Sequence, residues 1–385
     1  MKKEKENGKR KVIAVFFGGC STEYEVSLQS AYSVIQGIDK DKYRLVLVGI
    51  DRHSGQWFWY RGEIDKIEKD CWQAEEDCIP VFPSVDKEIH GLCYLDGDKL
   101  QTISLDAALP VLHGKNGEDG RLQGTLELMG VRVLGCGLLS SALCMDKEFA
   151  HAIARNNGIK TAGSFTLYKD QFYATETIAN NPAASYGASS EMRSRAAGYW
   201  PKTIINTVEK RAEKIGYPLF VKPIRSGSSF GITKVSRREE LLPAIENAFL
   251  HDDMVMLEET VPGFEVGCAV LGTDELLLGE VDEIELSRGF FDYTEKYTLK
   301  TSNIHVPARI PEAKAAEIKE TARTIYKLLH CSGFARVDMF LTPEGEIFFN
   351  EVNTIPGFTS HSRYPNMLKA AGMSFEEIIE QILEG

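Results

Sequence analysis

Residues 335–353 read ARVDMFLTPEGEIFFNEVN, two apolar runs on either side of Pro343-Glu344-Gly345. Runs of this length around a Gly-containing turn predict a β-hairpin, here with strands Ala335–Leu341 and Glu346–Asn353. Taking Glu344-Gly345 as a two-residue turn sets Asp338 opposite Glu351 and Arg336 opposite Asn353. Side chains alternate faces along a strand, so all four share one face. Two carboxylates this close repel unless a cation lies between them. Hard oxygen ligands of this kind suit Mg²⁺ when phosphate oxygens complete the shell. A solvated face with one Arg–Asp pair is the competing reading, and the neighbouring Phe340, Phe348 and Phe349 tell against it.

Downstream, residues 351–363 read EVNTIPGFTSHSR. Pro356-Gly357 predicts a tight turn directly after the acidic strand. It can aim the Gly357 N–H at a developing oxyanion, with Arg336 opposite. Ser360 and Ser362 then fall near a helix start, where a carboxylate is favoured. Upstream lie a helix over Glu312–Leu329 and strands over Met254–Glu259, Glu265–Leu271 and Glu275–Val281. Two short helices close the chain.

Earlier comes the strand Pro218–Pro223, then RSGSSFG at 225–231 and the short strand Ile232–Val235. A loop of small residues can wrap phosphates with backbone N–H groups, and Lys222 can add positive charge. A plain Gly-Ser turn between strands explains the same letters. No GxxxxGK[ST] run occurs, so a P-loop is excluded. Ser141–Asn157 reads as one helix ended by Gly158, and Thr203–Ile215 as an amphipathic helix. Residues 171–201 lack periodicity and read as a surface insertion.

The first third alternates strand and helix patterns. Val12–Phe17 is a continuous apolar run, as for a strand buried on both faces. Gly18-Gly19 breaks it, and Thr22 with Glu25 fits a capping box. Tyr43–Ile50 and Ala107–Leu112 are further strands, giving an open, mostly parallel α/β layer. Ligands of such layers gather past the C-terminal ends of strands. Gly18-Gly19 and HGKNGEDG (113–120) both sit there.

The bulk numbers narrow the field. A chain of 385 residues with 43% hydrophobic composition is too long for one ordinary domain. A net charge of −12 and pI near 5.3 disfavour nucleic acid and anionic membranes as partners. Eight scattered cysteines form no CxxC pattern and no zinc spacing, so reduced thiols are expected. Val12–Phe17 is too short for a membrane span or a signal core, so the expected compartment is the cytoplasm.

Taken in order, FGGCSTEYEVS (17–27), LHGKNGEDG (112–120), MDK (145–147), VKPIRSGSS (221–229), RVDMF (336–340) and NEVNTIPGFTSHS (350–362) resemble the D-alanine–D-alanine ligases of the ATP-grasp superfamily. The likeness runs over roughly residues 11–384. GFTSHSRYPNM, with FDYTEKY upstream, resembles the VanG-type vancomycin-resistance branch that makes D-alanyl-D-serine. The resemblance implies an ATP-grasp α/β fold of three domains. These are an N-terminal substrate-binding layer (1–136), a central domain (137–258) and a C-terminal catalytic domain (259–385) with a mobile loop near 285–300. It implies an ATP-dependent ligase for peptidoglycan precursors, acting through a D-alanyl phosphate, with two Mg²⁺ or Mn²⁺ ions. A homodimer is expected.

The resemblance also assigns roles. Lys147, Lys222 and Lys296 contact the ATP phosphates. Glu258 and Glu259 lie at the adenine edge, Phe340 lies against the ring, and Glu265 meets the ribose. Asp338, Glu351 and Asn353 hold the metals. Glu23 takes the ammonium of the first D-alanine, with His113 nearby. Ser228 and Tyr297 link to Glu23 and close the loop. Arg336 and the Gly357 N–H stabilise the tetrahedral intermediate, and Ser362 meets the second substrate's carboxylate. Three features depart from the family pattern: the long gap between Lys147 and Lys222, Glu259 where many members carry Lys, and Arg363 where many carry an aliphatic residue. Another ATP-grasp carboxylate–amine ligase would not need Glu23, HGKNGEDG and Tyr297 together. A non-catalytic nucleotide-binding protein would be expected to lose metal acids, and none is lost.

Overall fold

The computed structural model describes residues 10–173, 202–227, 230–286 and 302–385. Three sheets organise them. The first holds β1 (Lys11–Gly18), β2 (Tyr43–Ile50), β3 (Trp57–Tyr60), β4 (Cys78–Pro83), β5 (Gly91–Asp96), β6 (Lys99–Ser104), β7 (Ala107–Pro110) and β8 (Arg132–Val133). Their order is β6-β5-β4-β3-β2-β1-β7-β8. The anticipated parallel layer is β2-β1-β7-β8. An antiparallel meander, β3 to β6, extends it. Sequence reading missed those strands, because WFWY and CIPVFP are short and lack clean alternation.

Strand β1 shows why the layer forms. Every residue after Lys11 is buried. Ile13, Val15 and Phe17 pack on one face with Leu28, Ala31, Val34 and Ile35 of the helix Tyr24–Gly37. Val12, Ala14 and Phe16 pack on the other with Leu122 and Leu126 of the helix Arg121–Leu128. The period of two thus feeds two cores at once.

The second sheet is antiparallel. It holds β9 (Ser164–Tyr168), β10 (Leu219–Pro223), β11 (Thr233–Val235) and β12 (Met254–Glu259), in the order β11-β10-β12-β9. The helices Lys202–Ile215 and Leu241–Ala248 cover it through Val208, Ala212, Ala244 and Ile245. The third sheet holds β13 (Phe264–Leu271), β14 (Leu277–Leu278), β15 (Asp282–Leu286), β16 (Ser302–His305), β17 (Phe334–Leu341) and β18 (Ile347–Asn353). Its order is β16-β15-β13-β17-β18, with β14 beside β13. The helix Glu312–Leu328 lies over it through Ile318, Ala322 and Ile325.

Four local expectations change, the first being the strand anticipated over Glu275–Val281, which is reduced to β14 (Leu277–Leu278). The helix anticipated over Ser141–Asn157 is two, Leu138–Met145 and Lys147–Asn156. Asp146 between them is extended (ψ 99°), and its carboxylate accepts from the N–H groups of Glu148 and Phe149 at 3.2 Å. An acid that serves as an N-cap outcompetes helix continuation. The Thr22–Glu25 capping box does not form. Glu23 is the N-cap residue, without a side-chain cap, and Glu25 pairs with Arg52 at the surface.

The hairpin turn spans three residues, not two. Thr342 N donates to Glu346 O and Gly345 N to Thr342 O, with Gly345 at φ +83°. A β-bulge at Asn350 then restores the offset: Met339 pairs with Phe349, but Asp338 pairs with Glu351 and Arg336 with Asn353. The anticipated partners are right although the turn was not.

The Asp146 cap also fixes where Lys147 begins its helix. Asp146→Ala is expected to lower stability by about 1 kcal/mol. Thermal or denaturant unfolding of the purified variant checks this, and an unchanged midpoint would show the cap to be dispensable.

Candidate active site

The C-terminal ends of β1 and β7 lie side by side in the first sheet. Gly18 ends β1 and Gly19 follows it, with φ of +87° and +95°. The chain then turns into the helix that Glu23 starts. Ser21 Oγ donates to His113 O at 2.7 Å and accepts from Glu23 N at 3.1 Å. The Glu23 carboxylate is buried. A Cβ added at Gly114 would lie 2.4 Å from its Oε2, and one at Gly227 2.7 Å from it. A side chain at either glycine would displace the Glu23 carboxylate, and at Gly114, with φ +71°, it would also strain the backbone. Thus HGKNGEDG from the first sheet and RSGSSFG from the second converge on one acid.

His113 is buried, and both of its nitrogens have protein partners. Nδ1 lies 2.8 Å from Ile355 O and Nε2 3.1 Å from Ser30 Oγ. A carbonyl can only accept, so Nδ1 carries the proton and Nε2 accepts from the Ser30 hydroxyl. Ser30 Oγ in turn accepts from Phe358 N at 3.3 Å. Burial lowers the His113 pKa below its ordinary value, which agrees with a neutral ring. Glu118 completes this region. Its Oε2 accepts from Gly114 N at 2.7 Å, and its Oε1 accepts from Ile355 N at 3.1 Å. Burial, then the Glu23 charge, pushes the Glu118 pKa up to about 8 against the opposing effect of these two N–H groups.

The β17–β18 face holds Arg336, Asp338, Glu351 and Asn353 together, as the register requires. Asp338 is 1% exposed. Arg336 donates to it through Nε at 2.8 Å and Nη2 at 2.7 Å, and Asn353 Nδ2 donates at 2.8 Å. Arg363 Nη2 is 3.3 Å away. Lys147 Nζ lies 3.4 Å from Glu351. The acid pair was expected to need a metal as its charge partner; instead, side-chain cations already surround it. Burial works against the Arg336 charge, but Asp338 outweighs it and holds the guanidinium cationic. Among the described residues no group of three or more His, Cys, Asp or Glu side chains forms a metal cage. Two carboxylates and one amide oxygen fit a magnesium ion that draws its remaining ligands from phosphate and water.

Arg363 is almost fully buried and ties the site's floor. It donates to Asp282 through Nε at 2.6 Å and Nη2 at 2.8 Å, and to Glu265 through Nη1 at 2.6 Å. Asp282 is 0% exposed and had no signal in the sequence. Arg363, a departure from the family pattern, thus has its guanidinium against three sheet carboxylates, Asp282, Glu265 and Asp338. Ser362 Oγ accepts from Thr359 N at 2.9 Å and packs where a Gly357 Cβ would come within 2.9 Å.

Between the second and third sheets, Lys222 Nζ pairs with Glu258 at 2.5 Å, both buried. Lys147 Nζ donates to Ser226 O at 3.0 Å, so it reaches the RSGSSFG loop as well as Glu351. His151, absent from the sequence expectations, donates through Nε2 to Asn350 O at 2.7 Å, and its Nδ1 lies 3.9 Å from Glu258. Glu259 accepts from Gly163 N at 2.7 Å and so holds β12 to the start of β9. Glu265 stands opposite Phe340 across β13 and β17. Ser228, Lys296 and Tyr297, most of the 285–300 loop and most of the 171–201 insertion lie outside the described residues.

Comparison with known proteins fits this arrangement. Residues 12–136 match the model "D-ala D-ala ligase N-terminus", and residues 192–384 match "D-ala D-ala ligase C-terminus". The chain belongs to the D-alanine–D-alanine ligase family. It is 39% identical over 372 residues to D-alanine–D-alanine ligase of Caldicellulosiruptor bescii, covering 96% of this chain and 93% of that one. It is 40% identical over 377 residues to the vancomycin/teicoplanin A-type resistance protein VanA of Enterococcus faecium, covering 96% and 97%. Among solved structures, VanG D-Ala:D-Ser ligase from Enterococcus faecalis superposes with a TM-score of 0.81 at 50% identity, covering 98% and 99%. As a member of this family the chain is an ATP-grasp enzyme and an ATP-dependent ligase.

The raised pKa of Glu118 has a consequence for stability. The folded protein holds its proton up to about pH 8, whereas the ordinary value is 4.5. Its contribution is therefore complete below the ordinary value and is lost as pH rises through 8. The groups facing it are the carboxylates of Glu23 and Glu351 and the N–H groups of Gly114 and Ile355. In the ligand-free protein, the unfolding temperature should fall more steeply from pH 5 to 9 in wild type than in Glu118→Gln. Parallel melting curves across that range would refute this.

Proposed function

We propose that the chain joins D-alanine to a second D-amino acid with ATP, through a D-alanyl phosphate, and that D-serine serves as second substrate at least as well as D-alanine. The observation that carries the first part is the convergence of three segments. Glu23 lies against Gly114 and Gly227, while Ile355, bound to His113 and Glu118, ties the same pocket to the Arg336–Asp338–Glu351–Asn353 face.

In this reading the Glu23 carboxylate holds the ammonium of the first D-alanine. A carboxylate oxygen of that D-alanine attacks the γ-phosphorus of ATP; the bond to the bridging oxygen breaks and ADP leaves. Positioning and charge neutralisation do most of the work in such a transfer. Lys147 and Lys222 supply charge, and each now rests on an acid, Glu351 or Glu258, that nucleotide phosphates would replace or share. Asp338, Glu351 and Asn353 would hold Mg²⁺, which when bound would neutralise charge on the phosphate oxygens. The amine of the second substrate, once deprotonated, attacks the acyl carbon. The resulting oxyanion meets Arg336 and the Gly357 N–H. Collapse expels inorganic phosphate and leaves the peptide bond.

The choice of an amine over a hydroxyl acid rests on Tyr297. A phenol stays neutral near pH 7 and does not oppose an incoming ammonium. The D-serine preference is supported by the likeness to the VanG D-Ala:D-Ser ligase. Arg363, bound to Asp282 beside Ser362, sets the shape of that floor. We further propose a homodimer in the cytoplasm. All eight cysteines are free, as a reducing compartment favours, and among the described residues no helix is long and apolar enough to cross a membrane.

Two measurements test these proposals. Glu351→Ala should abolish D-alanine-dependent phosphate release while the far-UV spectrum stays native; near-wild-type release would remove Glu351 from the site. With ATP, D-alanine and equal D-serine present, product mass should show D-alanyl-D-serine at least equal to D-alanyl-D-alanine. Overwhelming D-alanyl-D-alanine defeats the D-serine proposal, and efficient depsipeptide synthesis from D-lactate defeats the preference for an amine.

A further inference from the structure

We propose that Glu118 is a positioning residue for the ligation step, locking the turn that carries Gly357 to the loop that lines the first D-alanine subsite. The proposal rests on the ligase reading above and adds a residue to it.

The argument begins with the Ile355 peptide. Its N–H donates to Glu118 Oε1 at 3.1 Å and its C=O accepts from His113 Nδ1 at 2.8 Å. Both backbone groups of one buried residue are thus held by side chains from a single loop more than two hundred positions earlier. Nothing in the turn itself fixes Ile355 in this way. The other Glu118 oxygen returns to its own loop, accepting from Gly114 N at 2.7 Å. The backbone closes that loop as well, Glu118 N donating to Gly114 O at 2.9 Å. One carboxyl group therefore spans two loops, each carrying part of the site. Gly114 abuts Glu23, and Ile355 precedes Pro356-Gly357.

The geometry selects a carboxyl group, which keeps an acceptor oxygen toward each N–H whether it is ionised or protonated with its O–H turned away. Glutamate offers an acceptor to each N–H. Glutamine keeps one acceptor and sets an amide N–H₂ against the other N–H donor. Aspartate is one methylene shorter and cannot span both. Without the bridge, Gly357 N–H loses its fixed distance from the acyl carbon, although ATP contacts on the second sheet remain. A displacement near 1 Å can cost about 10²-fold in rate.

The test uses full-length Glu118→Gln and Glu118→Asp with the wild type alongside. The expected result is a fall in kcat of about 10- to 100-fold with KM for ATP within about twofold. Affinity for a phosphinate dipeptide, whose tetrahedral centre mimics the intermediate, should fall in step with kcat. Hydrogen exchange of the Ile355 amide in the ligand-free variants should quicken. Wild-type kcat per folded molecule in Glu118→Gln, or a loss confined to the KM for ATP, would overturn the proposal. So would exchange at Ile355 unchanged from wild type. Failure of the wild-type enzyme to turn over ATP with D-alanine would instead count against the ligase reading, and the exchange measurement would still decide whether the bridge exists.

Discussion

Asp338 sits at 1% exposure with two guanidinium groups and an amide around it. The site is organised around keeping that charge satisfied. An ion buried without partners is costly, and breaking a buried pair typically destabilises by about 3–5 kcal/mol. Three choices in the fold answer this constraint. Strand alternation puts Arg336 two residues from Asp338 on the same face, the register beyond the bulge brings Asn353 across, and the helix Arg363–Ala370 begins with a guanidinium aimed into the sheet. Asp282 from β15 and Glu265 from β13 balance that second cation. The same logic recurs on the second sheet, where Lys222 and Glu258 bury one another. The pocket is charged but already neutralised by internal pairs, so a phosphate-bearing ligand enters by exchange of partners and not by filling a bare positive hole.

Much of this was legible because strand geometry is rigid. Once the hairpin was recognised, the partners Asp338–Glu351 and Arg336–Asn353 followed from alternation. The turn was misjudged by one residue and the bulge corrected it, so two local errors cancelled in the register. The β3–β6 meander was not legible, since its strands are short and partly exposed and carry aromatic or proline-rich runs that fit no simple period. The break at Asp146 was missed because a capping acid and a surface helix acid look alike in one dimension.

Among the residues that the structure brings together, those inside small-residue motifs stood out in the sequence and those defined by tertiary contact did not. Glu23, His113, Lys222 and Gly357 each stand in a distinctive local run. Asp282 stands in VDEIEL, where nothing separates it from the neighbouring Glu283 and Glu285; only its burial against Arg363 does. Glu118 was within a quoted motif, yet its link to Ile355 spans two loops that no local pattern connects. Arg363 was noticed as unusual, but its destination is set by acids on β13 and β15.

The bulge at Asn350 separates two kinds of freedom in the hairpin. Between the bulge and the turn, the strands keep one register; beyond it they keep another. A residue gained or lost at the turn could be offset by losing or shifting the bulge, leaving the four-residue face in place. The solvent end of the hairpin can therefore drift in length over evolutionary time without moving the chemistry, as a slip joint isolates a fixed fitting from the pipe that feeds it.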